Sequence, residues 1–392
     1  RPVTRAHWPT CAAMGGIWQG VVWQRQKQPA TRKAFINCAG TDRTQCMKIL
    51  MLDRSIGFDP KDREARPLGA RQRGFIALAE ALVARGHKVE ARRNGGIDLD
   101  HHGVAWRQLD SAMPPFGGDP VDRVLVWRDA ELLRHPSIPE GSDCWLWFDG
   151  MVSDLNADKA RLALLETGAQ VIFTHEDHGK AFDGDIAKCP IVIAPGACPA
   201  FAMASNMHWA FESRENLAVT VANSKTGIAQ IIRIWSAYVA PKVPGAILEI
   251  YASDLFSAMA GENDDVSEEL VDMVRDNIDK GVRVCHPMPE ADMAERIATA
   301  RAFLHHGKYG NDQVGQWIYD ALAAATPVVS YGGIAKARVE NGKTGYIVPD
   351  ETAYGNLVMQ LLADRQIFAS QSEAARNSRR EWLNVAGELE KL

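Results

Sequence analysis

The sequence predicts an α/β protein built from two consecutive doubly wound units. Three observations point there. Short apolar runs of β-strand length alternate with helix-length periodic segments from residue 47 onward. The 392 residues exceed one ordinary domain. The composition, 46% hydrophobic and 24% charged, is that of a chain with enough apolar material for a packed core.

Residues 1–46 stand apart. They carry seven Lys+Arg against one Asp+Glu and show no sustained helix or strand period. Three Trp (8, 18, 23) sit there among Gly, Gln and basic residues. At Met47 the character changes, with Met47–Asp53 reading as a buried first strand. We therefore expect residues 1–46 to be a basic extension, poorly ordered or foreign to the native protein, and Met47 to begin the native domain.

In the first unit, residues 47–205, a polar and basic loop (Lys61, Arg63, Arg66, Arg71, Arg73) follows the first strand. Phe75, Leu78, Ala79, Leu82 and Val83 then mark one face of a helix, with Gly86 at the expected C-cap. Strands are expected at 88–91, 121–127, 144–148, 171–174 and 191–194, and a helix at 158–167. After a linker at 206–216, the second unit, residues 217–375, predicts strands at 217–221, 246–251, 282–285, 301–305, 327–331 and 345–348. Its helices are expected at 227–239, 266–278, 290–300 and 312–325, and a terminal helix occupies 376–392.

Charge and cysteine narrow the function classes. The net charge is −5, which argues against a nucleic-acid partner. Seven scattered Cys lack C-x-x-C or zinc spacing and read as small buried side chains of a reducing compartment. The absence of an uninterrupted apolar run of ~18–20 residues gives no spanning helix. A cytoplasmic protein is expected, with the basic loop 61–73 available to anionic lipid on the inner membrane face.

Several short motifs fail. Gly342-Lys343-Thr344 has Ala337 where a P-loop needs Gly, and it leads into a strand. The first strand is not followed by G-x-G-x-x-G. His175-Glu176-Asp177-His178 lacks zinc-protease spacing, and the pairs His101/His102 and His305/His306 have no evident partners in sequence. Asp183-Gly184-Asp185 reads as a loop turn.

The segment 301–350 carries more. Asp312 and Asp320 lie eight residues apart with Gly315 between them, and ALAAATPVV follows. On a helix that spacing spans ~12 Å. Two carboxylates so placed would grip separated parts of one extended ligand; alternatively, Asn311 or Asp312 caps the helix and Asp320 is exposed.

This segment resembles the donor site of retaining GT-B glycosyltransferases of family 4, with their pattern E-x2-G-x4-E-A-x-A-x-G-x-P-V-V. Asp312, Gly315, Asp320, Ala321, Ala323, Pro327, Val328 and Val329 fall on it. Gly332-Gly333-Ile334 and Val339–Gly345 resemble the loop and strand that follow. Pro67-Leu68-Gly69-Ala70 with LAEALVARGHKVEA is similar to the family's Gly-rich loop and first helix. Ser224-Lys225-Thr226-Gly227 resembles the turn opening its second domain, and Val243–Leu248 the approach to the next strand.

The resemblance implies GT-B architecture, two Rossmann-like domains facing across a cleft. It implies transfer of a sugar, with retention, from a nucleotide-sugar donor to a glycan, lipid-linked or other acceptor, with neither metal nor other cofactor. Lys225 would meet the donor phosphates, Asp320 the ribose and Asp312 the sugar. Gly332 and Gly333 would let backbone approach the donor, Gly69 would let backbone approach donor phosphate or acceptor, and Asp149, at the end of a strand, would contact sugar or acceptor. Asp312 and Asp320 replace glutamates, Ala70 replaces a glycine, and an Arg usual before the phosphate-binding Lys is missing. These departures raise the alternative of a catalytically impaired relative that binds or scaffolds. An epimerase or phosphorylase on the same architecture is a further alternative.

Overall fold

The structure, a computed structural model, describes residues 46–182, 191–208, 210–307 and 315–392. Residues 1–45 of the basic extension, Asp183–Asp185 and Asp312 lie outside the described residues. In the first lobe the strands are β1 Lys48–Asp53, β2 Lys88–Arg93, β3 Leu99–His101, β4 Val104–Gln108, β5 Arg123–Trp127, β6 Cys144–Phe148, β7 Gln170–Phe173 and β8 Ile191–Val192. Its helices are α1 Asp62–Ala65, α2 Ala70–Ala84, α3 Val152–Leu155, α4 Asp158–Thr167, α5 Glu176–Ala181 and α6 Pro199–Ala204.

The second lobe has β9 Leu217–Val221, β10 Ile247–Tyr251, β11 Val282–Cys285, β12 Ala302–His306, β13 Val328–Tyr331 and β14 Gly345–Val348. Helix α7 Ile228–Ile234 continues as a π turn over Trp235–Val239; α8 is Ser253–Met259, α9 Glu268–Arg275, α10 Glu290–Thr299 and α11 Gln316–Ala323. Helices α12 Glu351–Ala363, α13 Arg365–Asn377 and α14 Trp382–Leu389 close the chain.

Among the described residues two sheets form, ordered β3-β4-β2-β1-β5-β6-β7-β8 and β11-β10-β9-β12-β13-β14. Their strands pair in parallel except β3 with β4. Parallel strands buried on both faces read as continuous apolar runs. Ile49–Leu52 and Cys144–Phe148 are such runs, and each is buried throughout. Helix α2 ends where expected, with Gly86 at φ 97. The β3–β4 hairpin was not legible, because Leu99–His101 and Val104–Gln108 are short and mixed in polarity.

An aromatic cluster fills the first lobe: Trp127 stacks on Trp147 at 5.3 Å, and Trp382 of α14 packs on both. The chain thus returns from the second lobe to cover the first. Arg85 and His87 hold Glu390 just beyond α14, and Ala197 N–H donates to Arg380 O at 2.7 Å.

Arg214, expected to lie in a linker, is instead buried. Its guanidinium donates to the carbonyls of His208, Ala300, Ala324 and Ala325 and to Thr326 Oγ1, all within 3.0 Å. Satisfying this many carbonyls at once fixes the connection onto the second lobe.

Candidate functional site

In an open parallel sheet, ligands bind outside the carboxyl ends of the strands where the order reverses. In the second sheet that point lies between β9 and β12. The segment 222–227 leaves β9 there and opens α7. It is braced from within: Asn223 Oδ1 accepts from Lys225 N–H at 3.0 Å, and Asp254 Oδ2 accepts from Ser224 N–H and Oγ at 2.9 and 2.7 Å.

Gly227 has φ 74, and a Cβ there would come within 2.4 Å of His306 Nδ1 at the end of β12. His306 stacks on Tyr331, the last residue of β13, at 5.2 Å. Gly332 follows at φ 102, opening the turn Gly333–Ala337. The Lys225 side chain is exposed. Lys225, Gly332 and Gly333 therefore lie at carboxyl ends of strands in one sheet. A cation beside a helix start supplies electrostatic complementarity to a phosphate group.

The first sheet reverses between β1 and β5. A cavity of about 430 Å³ opens at that edge, lined among others by Asp53, Arg54, Arg71, Arg128 and Asp129. Burial pushes the Asp53 carboxyl above its usual range against two hydrogen bonds from Ser55. Asp149, after β6, faces Arg128 at 3.7 Å; burial raises its pKa while the guanidinium opposes the rise. Gly69 caps α2 at φ −62 and is exposed.

Between the lobes, Arg73 of α2 reaches Asp320 of α11, with Nη2 2.9 Å from Oδ2. Asp320 Oδ1 accepts from Cys198 N–H at 3.0 Å and from Gln316 Nε2 at 3.2 Å. Gln316 Nε2 also donates to Gly196 O at 2.6 Å. Glu290 lies 3.7 Å from Arg73, whose guanidinium sits 4.0 Å from the Trp317 ring centroid. Burial works against the Arg73 proton, but Asp320 and Glu290 more than offset it, so the group stays charged.

The expectation of an exposed Asp320 is corrected. The residue is 0% exposed, because α11 turns it toward the first lobe, where Arg73 meets it. The structure therefore gathers Asp320 with Arg73, Glu290, Cys198 and Gln316, which sequence reasoning missed. Arg73, expected in the basic loop 61–73, instead lies in α2 and is 1% exposed; its neighbours Arg71 and Gln72 are polar too, so the sequence around it did not mark it as buried. Lys225, Gly332 and Gly333 lie at the second sheet's edge, while Gly69 and Asp149 belong to the first lobe.

The fold invites comparison with known proteins. Residues 243–364 match the family model described as Glycosyl transferases group 1. The group 1 match runs from before β10 to Asp364, so it holds Asp320, Gly332 and Gly333, while Lys225 precedes it.

Solved GT-B structures share the architecture across 88% of this chain. Sucrose-phosphate synthase from Thermosynechococcus elongatus superposes with a TM-score of 0.64 at 15% identity, over 98% of its own chain. HepE from Anabaena in complex with UDP-glucose gives 0.61 at 16%, over 98% of its chain. WaaG, a glycosyltransferase involved in lipopolysaccharide biosynthesis, gives 0.56 at 16%, over 99% of its chain. Comparison with curated protein sequences finds no match. The fold is therefore GT-B. Among the described residues, no helix is long and apolar enough to cross a membrane.

Proposed function

We propose that this protein is a retaining glycosyltransferase that moves a sugar from a nucleotide-sugar donor to a glycan or lipid-linked acceptor. The observation that carries the reading is Lys225, exposed on a braced loop at the start of α7, at the sheet reversal of a GT-B lobe. Sugar transfer leaves a diphosphate and passes through an oxocarbenium-like sugar. The protein's task is to stabilise the developing negative charge and to hold the acceptor hydroxyl.

Lys225 and the opening of α7 serve the diphosphate. Gly332 and Gly333 leave room for backbone beside the donor. By its resemblance Asp312 takes the sugar hydroxyls. Asp320 takes the ribose hydroxyls, but its oxygens are engaged by Arg73, the Cys198 N–H and Gln316, so these partners must withdraw first. The acceptor enters from the first lobe, past Gly69 and Asp149. This scheme asks for no metal. HepE binds UDP and UDP-glucose, which makes UDP-sugars the first donors to test.

One observation favours a second reading, a relative that binds without turnover: the Arg73–Asp320 pair seals the carboxylate assigned to ribose. Incubating the full chain with UDP-sugars and a glycan or lipid acceptor panel, with products read by mass spectrometry, separates the two. Anomer-retained product supports transfer. Saturable UDP binding without product from any donor supports the second reading, and neither binding nor product refutes both.

A further inference from the structure

The hairpin joining β3 to β4 turns at His102 and Gly103, with φ 49 and 79, so adjacent histidines lie side by side. The imidazoles of His101 and His102 stack at 3.9 Å with 22° between their planes. The turn is seated on α2, since a Cβ at Gly103 would lie 2.7 Å from Val83 Cγ1. Glu64 of α1 completes a group in which one ligating atom from each of Glu64, His101 and His102 lies within 4.8 Å of the others.

Two further observations point to a ligand. His101 Nε2 is removed from solvent and has no hydrogen-bond partner, and a buried polar atom left in that state is costly unless something meets it. On the other ring, His102 Nδ1 lies 2.8 Å from Glu80 Oε1, and Glu80 is itself held by Arg63 Nη1 and Nη2 at 3.0 and 3.2 Å. A histidine whose Nδ1–H donates to a fixed carboxylate presents the lone pair of Nε2. This is the arrangement by which an outer carboxylate orients a metal-binding imidazole.

We propose that Glu64, His101 and His102 form a binding site for a late first-row divalent cation, Zn²⁺ by preference, with Glu80 orienting His102. Two imidazoles and one carboxylate suit zinc and disfavour Mg²⁺ and Ca²⁺, which take oxygen ligands. Tetrahedral zinc with bonds of ~2.0–2.1 Å sets ligating atoms ~3.3 Å apart with the ion in the plane of each imidazole, so the stacked rings must turn out of their stack to share it, and water fills the fourth position. The site is distinct from the sugar-transfer reading. It ties the β3–β4 turn to α1, the short helix that leads into Gly69, and so acts on the stiffness of the first lobe.

The test uses the full chain stripped of metal by chelator and dialysis. Calorimetric titration with Zn²⁺ is expected to show saturable binding, and Zn²⁺ to raise the melting temperature by mass action, whereas Mg²⁺ does neither. His102→Asn keeps a residue that tolerates positive φ. It is expected to melt like the metal-free parent and to lose the zinc-induced rise. Glu80→Gln should weaken Zn²⁺ binding by roughly 10–100-fold. Parent protein that shows no saturable Zn²⁺ binding overturns the proposal. So does His102→Asn that binds Zn²⁺ with unchanged affinity and an unchanged rise in melting temperature.

Discussion

Arg73 Nη2 in the first lobe lies 2.9 Å from Asp320 Oδ2 in the second, with both side chains withdrawn from water. Two charges taken out of water are tolerable together and not apart. The pair therefore acts as a joint between the lobes, reinforced by the Cys198 N–H and Gln316 hydrogen bonds to the same carboxylate.

Removing one partner is the sharpest test of that joint. Asp320→Ala leaves a buried guanidinium whose remaining carboxylate partner among the described residues is Glu290, 3.7 Å away, and is expected to destabilise the fold by about 3–5 kcal/mol. Adding Arg73→Met should recover much of the loss, because the thioether chain can still pack on Trp317. Denaturant unfolding of both single variants and the double variant closes the cycle. A loss below about 0.5 kcal/mol for Asp320→Ala, the range of an ordinary surface substitution, would show that the joint does not form in solution.

Lys225 behaves in the opposite way, since it is exposed and its side chain is not built into the core. Lys225→Met is expected to change stability by less than ~0.5 kcal/mol. Loss of a charged hydrogen bond to phosphate, about 1.5–3 kcal/mol, corresponds to roughly 10–100-fold weaker UDP binding. Calorimetry with UDP, alongside thermal melting, reads both quantities. Unaltered affinity would remove Lys225 from the donor site.

Gly227 couples that loop to β12. With φ 74, and with a Cβ that would meet His306 Nδ1 at 2.4 Å, Gly227→Ala must displace either the loop or the imidazole. A left-handed conformation alone costs a non-glycine residue ~1–2 kcal/mol. The variant is expected to lose at least that much stability and to bind UDP more weakly. Native melting with native UDP affinity would show that the loop accommodates a side chain freely.

The contrast between Asp320 and the strands shows what sequence can carry. A strand such as Cys144–Phe148 announces itself, because burial on both faces demands an apolar residue at every position. The eight-residue spacing of Asp312 and Asp320 fixes distance along a helix but says nothing of what the helix faces. The partner of Asp320 comes from α2, far away in the chain, and only the meeting of the lobes brings it near. Lys225 was legible for a local reason: a lysine in a short turn between a strand and a helix stays at the sheet edge however the lobes are arranged. The paired histidines at 101 and 102 were visible as a pair, but Glu64 and Glu80 reach them only through the unforeseen β3–β4 turn.

His305 supplies a prediction about acid. Burial, with a smaller contribution from neighbouring His306, pulls its pKa down from 6.5 to about 4. Its Nδ1 lies 2.9 Å from Ser330 Oγ of β13, a contact the neutral ring can accept from or donate to. In the unfolded chain the imidazole takes up a proton as pH falls through about 6.5, whereas in the fold it resists until about 4. The unfolded state thus binds more protons across that window. The stability tied to neutral His305 is complete above about pH 6.5 and is lost as pH falls toward 4. The lost amount is up to about 3 kcal/mol. His305→Gln keeps a side chain able to bond Ser330 but cannot titrate. Its stability, measured by urea unfolding from pH 7 to pH 4, is expected to fall less steeply than that of the parent. Parallel curves for the two proteins would mean that His305 takes up its proton in the fold as readily as in the unfolded chain.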